Sequence, residues 1–267
     1  MPQESISSEN NSPEKLHFSE VEELREPVEK ILAEIAPRLE KGEYQLLIGD
    51  DASGRVPTWV WKKIIGEMYE EKGFPPIETV YIAGSGSSGK SQNLTGGAFQ
   101  EKKEKIEDFL KYLSEGKESQ KIRVRAPLSR VLISTDSVFT GTSLDPLMEV
   151  LKEGGIPFDI IAIGLQKTHS GDKGIRSGQK IIYGKIGLPG VDGSSHLSGV
   201  GKFTRFLFSH TRNPIFVNVP ISSEEENKSS ETVRKSDLSL SREDATRLAK
   251  EIVEKYHKEK TGKDDIK

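Results

Sequence analysis

The sequence has no cysteine. Disulfide scaffolds, cysteine-ligated zinc, iron–sulfur clusters and cysteine nucleophiles are therefore excluded. No apolar run approaches the ~20 residues that span a bilayer, and mean hydropathy is −0.54. Neither sign of charge is in excess: 39 Lys and Arg stand against 42 Asp and Glu, a formal net charge of −3. That balance argues against a general electrostatic grip on nucleic acid or on an anionic membrane. The five histidines show no metal-ligand spacing, and each reads as a surface or hydrogen-bonded residue. Residues 1–18 are polar and lack the basic start and apolar core of a secretory signal. The expectation is a cytoplasmic protein with no membrane segment.

Hydrophobic residues make up 33% of the 267, but they are gathered in short runs. The middle of the chain can thus bury a core while the ends stay solvated. Residues 1–18 read as a disordered leader. In 19–42, Val21, Leu24, Val28, Ile31, Leu32, Ile35 and Leu39 recur at helical spacing. Ser19 and Glu22 have the spacing of a capping box, and Gly42 is a stop signal. Pro27 and Pro37 predict a kink, or a helix that starts near Pro27.

From residue 44 onward, apolar runs alternate with amphipathic segments. Strands are expected at 44–48, 78–83, 121–126, 130–135 and 158–164, and helices at 59–71, 100–114 and 144–153. Gly73, Gly154 and Gly155 are helix stops. The strands are mostly continuous apolar runs, as in strands covered on both faces. The fold class is α/β, a mainly parallel sheet flanked by helices. Segments 180–184 and 214–219 are weaker strand candidates, with a glycine-rich stretch between them that has the length of a lid. The domain is expected over 19–221, followed by a linker at 222–240. A last helix at 241–260 carries Ala245, Leu248, Ala249, Ile252, Val253 and Tyr256 on one face.

Ligands of such sheets bind outside the carboxyl ends of the strands. Three polar loops leave those ends: 49–55, 84–98 and 135–143. The last is the most specific. A buried strand, RVLIST, delivers Thr135, Asp136 and Ser137, and Thr140, Gly141, Thr142 and Ser143 follow at the mouth of a helix. Amides at a helix N-terminus bind phosphate, hydroxyls complete the cradle, and Gly141 lets the main chain approach. A carboxylate just upstream can accept hydrogen bonds from ribose hydroxyls. An ordinary strand–turn–helix with a Thr-Gly cap is the plainer reading.

Four apolar residues, two polar positions, three variable residues and Thr-Gly resemble the phosphoribosyl pyrophosphate (PRPP) motif of type I phosphoribosyltransferases. The order of elements over about 44–164 is similar to that family's. The resemblance implies a phosphorylated sugar or nucleotide as ligand, bound with Mg²⁺, and transfer of the phosphoribosyl group to a nitrogenous acceptor with loss of pyrophosphate. It puts Thr140–Ser143 around the 5′-phosphate, and Asp136 on the ribose and, through ligand or water, on the metal. The first acidic position of the motif holds Thr135. A non-catalytic PRPP- or nucleotide-sensing module therefore stands beside the enzyme. A homo-oligomer is compatible with either.

In the first loop, Asp50 and Asp51 follow a strand, and Ser53, Gly54 and Arg55 precede a helix. The resemblance makes this the pyrophosphate loop, and Arg55 can clamp an anion bidentately. The plainer reading is a capped turn with a solvated arginine. In the second loop, Gly84 to Ser91 match G-x-x-x-x-G-K-[ST], the P-loop pattern, with Lys90 on phosphates. A P-loop needs a helix starting within Gly-Lys-Ser, yet Gly96 and Gly97 follow closely and no apolar periodicity begins until about Ile106. The resemblance instead makes Ser85, Gly86, Ser88, Gly89 and Lys90 part of a mobile loop that closes over the reacting centre, with Lys90 reaching the pyrophosphate. On that reading Asp136 and Lys90 are the candidate catalytic residues. An inert loop is the third reading.

Overall fold

The computed structural model describes residues 15–50, 54–82, 97–115, 129–138, 144–165, 180–186 and 235–264. Within them the apolar runs become five strands: β1 (Leu46–Asp50), β2 (Glu78–Ile82), β3 (Val131–Val138), β4 (Phe158–Leu165) and β5 (Ile181–Ile186). They pair in the order β2-β1-β3-β4-β5, and every pairing is parallel. Six helices accompany them: α1 (Ser19–Glu22), α2 (Arg25–Leu39), α3 (Arg55–Lys72), α4 (Gly97–Glu115), α5 (Asp145–Glu153) and α6 (Lys235–Asp264). The expected α/β class is thus observed.

Side chains alternate across the sheet, so each strand feeds two cores. Leu47, Leu132, Ile161, Ile163 and Ile182 pack with α1, α2, α3 and α6. Leu46, Ile48, Val80, Ile82, Val131, Ile133, Ile160 and Ala162 pack with α4 and α5 on the opposite face. Burial on both faces is why these strands read as unbroken apolar runs rather than as alternating ones.

The chain leaves β1 for β2 through α3 on one face. It then passes back over β1 to β3 through α4 on the other. Reversing direction and face together keeps one hand of crossover. The reversal leaves a crevice between the carboxyl ends of β1 and β3, the switch point of a doubly wound sheet.

Two local features fix the helices. Gly73 ends α3 with φ 70°, and its N–H bonds the Glu70 carbonyl at 3.1 Å. A left-handed residue there favours glycine. Gly184 on β5 lies under the first turn of α2: a Cβ at that position would stand 2.4 Å from Pro27 Cα. Pro27 itself falls in the first turn, where a missing N–H is tolerated, and Pro37 falls two residues before the helix ends.

Several boundaries differ from expectation. Gly49 and Asp50, read as turn, pair with Tyr81 and Ile82 as part of β1. Asp136 to Val138, read as turn, continue β3, with Ser137 paired to Gly164 and Val138 to Leu165. Ser19 and Glu22 do not form a capping box. Ser19 is the first helical residue and no side chain caps α1, while Glu22 pairs with Arg25. Instead Asp244 of α6 accepts from the Phe18 N–H at 2.8 Å and lies 2.7 Å from His17 Nδ1. Residues 15–18, read as leader, are therefore held to the body, and Leu16 and Phe18 pack on its core. Helix α6 begins at Lys235, so 235–240 are helical rather than linker. Ala245, Leu248, Ala249, Ile252 and Val253 are buried as the spacing predicts. The expected strands at 121–126 and 214–219 and the glycine-rich stretch after residue 186 lie outside the described residues. No helix among the described residues is long and apolar enough to cross a membrane.

Candidate functional site

The crevice between β1 and β3 is built from the last residues of both strands and the first turn of α3. Asp50 ends β1 and is half-buried. The last β1–β3 pair is Gly49 with Ser134, which brings Thr135 beside Asp50. Thr135 Oγ1 donates to Asp50 Oδ2 at 3.4 Å, and the Ser137 carbonyl lies equally far from the same hydroxyl. A hydroxyl has one proton, so Thr135 serves one of these acceptors at a time.

The turn from β1 into α3 presses against the end of β3. Gly54 donates its N–H to the Asp50 carbonyl at 3.1 Å. A Cβ on Gly54 would lie 2.7 Å from that carbonyl oxygen and 3.2 Å from the Ser134 carbonyl oxygen. Glycine is needed here for close approach, since its φ of −83° is ordinary. As the N-cap of an 18-residue helix, Gly54 supplies no side-chain acceptor. The dipole and first-turn amides of α3 face this end of the sheet, the physical basis of an anion site.

Arg55 opens α3, and its guanidinium lies over the Tyr81 ring, 5.6 Å from the centroid. Tyr81 stands opposite Gly49 on β2. A Cβ on Gly49 would meet Thr58 Oγ1 at 2.6 Å and Tyr81 Cδ1 at 2.8 Å. The tyrosine ring and the first turn of α3 thus occupy the space that Gly49 leaves open. Thr58 and Ser134 are fully buried, and neither hydroxyl has a hydrogen-bond partner among the described residues.

The structure therefore gathers six of the candidate residues at one end of the sheet: Asp50, Gly54, Arg55, Thr135, Asp136 and Ser137. Asp136 is 1% exposed and Thr135 2%. The sequence singles out Asp136 as the ligand-facing acid, but Asp50 is the more exposed carboxylate. Asp51, Ser53, the loop residues Ser85, Gly86, Ser88, Gly89 and Lys90, and Thr140, Gly141, Thr142 and Ser143 lie outside the described residues. No cluster of three metal-ligating side chains occurs among the described residues.

Sequence reading missed Tyr81 and Thr58. Val80 and Ile82 point to the α4 side, so alternation alone puts Tyr81 on the α3 side. Thr58 stands one turn after Gly54 and three residues after Arg55, on an otherwise apolar face of α3.

A second polar cluster sits at the opposite, amino end of the strands. Asp159 accepts from Tyr44 Oη at 2.7 Å, Arg38 Nη1 at 3.0 Å and Arg130 Nη1 at 3.2 Å. Burial, then the hydrogen bond to Asp159, pushes the Tyr44 phenol well above its usual range. These groups satisfy one another and tie the starts of β1, β3 and β4 to the end of α2, a structural role.

No protein-family model and no curated protein matches the chain. Among solved structures it is similar to the purine phosphoribosyltransferase from Pyrococcus horikoshii Ot3, at 14% identity and a TM-score of 0.30, over 60% of this chain and 81% of that one. A TM-score so low does not bear on the assignment.

Proposed function

We propose that this chain is a phosphoribosyltransferase-like protein that binds PRPP, or another ligand carrying ribose 5-phosphate, with Mg²⁺ in the β1/β3 crevice. The observation that carries the reading is the junction of Asp50 with Thr135 beside the glycine-started α3. Two polar strand ends and a helix N-terminus meet there at the switch point, where an anionic sugar ligand is best received. The motif over 131–143 supplies the ligand class.

In the proposed reaction the bond from the ribose anomeric carbon to pyrophosphate breaks, and a bond from the acceptor nitrogen forms. The electron pair leaves with pyrophosphate, and the nitrogen's proton passes to solvent. The chain's part is positioning and electrostatics. The amides and hydroxyls of 140–143 hold the 5′-phosphate, and Asp50, the more exposed carboxylate, accepts from ribose hydroxyls. Arg55 and the 50–54 turn receive the pyrophosphate. The 84–98 loop, through Lys90, shields the cationic sugar centre from water. Asp50 would hold Mg²⁺ directly and Asp136 through water or ligand, carboxylates being the donors this ion takes. The chemistry supplied by such an ion would be neutralisation of charge on the diphosphate.

A second reading is a binding module that does not catalyse. Two observations favour it: the first acidic position is Thr135, and Asp136 is 1% exposed.

Calorimetric titration with PRPP–Mg²⁺ and with ATP–Mg²⁺ tests the binding claim. The reading expects PRPP to bind and Asp136→Asn to weaken it. Binding of ATP alone, lost in Lys90→Ala, would overturn it in favour of a P-loop protein. Pyrophosphate release with a panel of nitrogenous bases then separates the two readings, since only an enzyme releases it.

A further inference from the structure

We propose that Trp59, Lys62 and Arg242 form a second anion site, on the outer side of α3 where α6 packs beside it, and that it takes the phosphate group of a small molecule. The site lies apart from the β1/β3 crevice and stands independently of the function proposed there.

Helix α6 runs parallel to α3. Arg242 meets Trp59 near the start of α3, and His257 Nε2 lies 3.0 Å from Glu71 near its end. Trp59 is half-buried, packs on the core and has its Nε1 enclosed. Two cations gather on its ring: the Arg242 guanidinium lies 4.7 Å from the centroid and Lys62 Nζ 5.9 Å. Both residues are exposed. Among the described residues neither has a carboxylate within ion-pair distance. The sequence accounts for this, since no acidic residue stands three or four positions from either one. Glu243 directly follows Arg242, but adjacent helical residues do not face each other. Between α2 and α6, by contrast, cations are answered by acids: Arg25 by Glu251, Lys255 by Glu29 and Lys260 by Glu40.

Like charges collected on one ring repel each other unless an anion is shared between them. The aromatic face attracts each cation without using its N–H donors. Arg242 thus presents a planar fork and Lys62 a point charge with three donors, the two kinds of group that bind phosphate. Gly66 follows Lys62 by one turn, and a Cβ there would meet nothing within 4 Å, so the ground beside Lys62 is open to the rest of the ligand. Two cations match one phosphate group. A nucleic-acid backbone or an anionic membrane calls for a wider basic face.

The probe is inorganic phosphate without metal, titrated into the full chain against sodium chloride of equal ionic strength. The chain has two tryptophans, and Trp61 is fully buried, so fluorescence follows Trp59. Phosphate is expected to give a saturating fluorescence change and a rise in Tm. Arg242→Ala and Lys62→Ala, both at exposed positions, are each expected to weaken the affinity about tenfold, the value of a charge-assisted contact. Arg242→Lys keeps the charge but loses the fork, and is expected to recover only part of that loss. Arg55→Ala at the crevice and Lys63→Ala, next along α3, are expected to leave the fluorescence titration unchanged. A response no larger than that to chloride, a loss as large in Lys63→Ala, or a change abolished by Arg55→Ala would each overturn the site. Titration of Lys62→Ala with PRPP–Mg²⁺ is expected to match wild type, so the crevice and this site stand or fall separately.

Discussion

Thr135 on β3 reaches across the switch point to Asp50 on β1, Oγ1 to Oδ2 at 3.4 Å. This contact joins two neighbouring strands at the end where a ligand would enter. It also explains why a hydroxyl is tolerated where the resembled motif has an acid. A carboxylate at 135 would stand beside Asp50, and two like charges at such range cannot both ionise cheaply.

The substitution Thr135→Asp makes that cost measurable. The like charge raises the carboxyl pKa of one member in the folded state, so stability falls as pH rises through it. At neutral pH without metal the variant is expected to be less stable than wild type by about 2 kcal/mol, between an exposed pair and a close pair near a surface. The gap should narrow near pH 4, and on adding Mg²⁺. Urea melts at two pH values, with and without the ion, give the answer, and a gap indifferent to both would place Asp50 elsewhere than beside residue 135.

Gly184 carries the docking of α2 on the sheet. A Cβ there would meet Pro27 Cα and Cβ at 2.4 Å and its carbonyl oxygen at 2.6 Å. Backbone and a proline ring cannot rotate aside as a flexible side chain can. Gly184→Ala is expected to cost about 1–3 kcal/mol or more as α2 is pushed off β5. Chemical denaturation measures it; a neutral result would mean that α2 does not lie so close.

Glu40 links α2 to α6, accepting from Lys260 and, at 2.9 Å, from Tyr256 Oη. The Lys260 hydrogen bond lowers the Glu40 pKa most, burial opposes it, and the Tyr256 bond adds to the lowering. A depressed carboxylate stabilises above its unfolded value of about 4.3 and loses that contribution as pH falls through its folded value. The Tyr256 phenol is pushed up to about 12, by burial first and then by Glu40. Its contribution is complete below the unfolded value of about 10 and is lost as pH rises through the folded one. Glu40→Gln should therefore lower Tm most near neutral pH, with the deficit shrinking toward about pH 3 and again under alkali. The pair is partly exposed, so the deficit is under about 1 kcal/mol. Thermal melts across pH test both arms.

Helix α6 is part of the fold, since Leu248 is fully buried in the core shared by α2 and α3. Leu248→Ala is expected to cost about 2–5 kcal/mol. Exposed Glu254→Ala on the same helix is expected to cost less than about 0.5 kcal/mol. Equal, small effects in denaturant titrations would contradict the packing.

The sheet was legible in the sequence because strands covered on both faces must be apolar throughout. Its ends were not. Gly49-Asp50 and Asp136-Ser137 have the composition of turns, yet neighbours across the ladder hold them as strand. The capping box at Ser19 failed for a similar reason: an acceptor from Asp244, far along the chain, takes the place of the local one. The motif and the loop order reach as far as Asp50, Arg55 and Asp136, which lie at the ends of β1 and β3 and the start of α3. Pairing Thr135 with Asp50, or Tyr81 with Arg55, depends on strand order and register, which no local pattern encodes.

The location of the ligand tests the account most directly. Hydrogen–deuterium exchange of the full chain, with and without saturating PRPP–Mg²⁺, should show slowed exchange in peptides covering 46–58 and 131–143. The Asp159 cluster at the amino ends of the strands should be unchanged. Absence of any slowing, or slowing confined to regions away from the β1/β3 crevice, would contradict it.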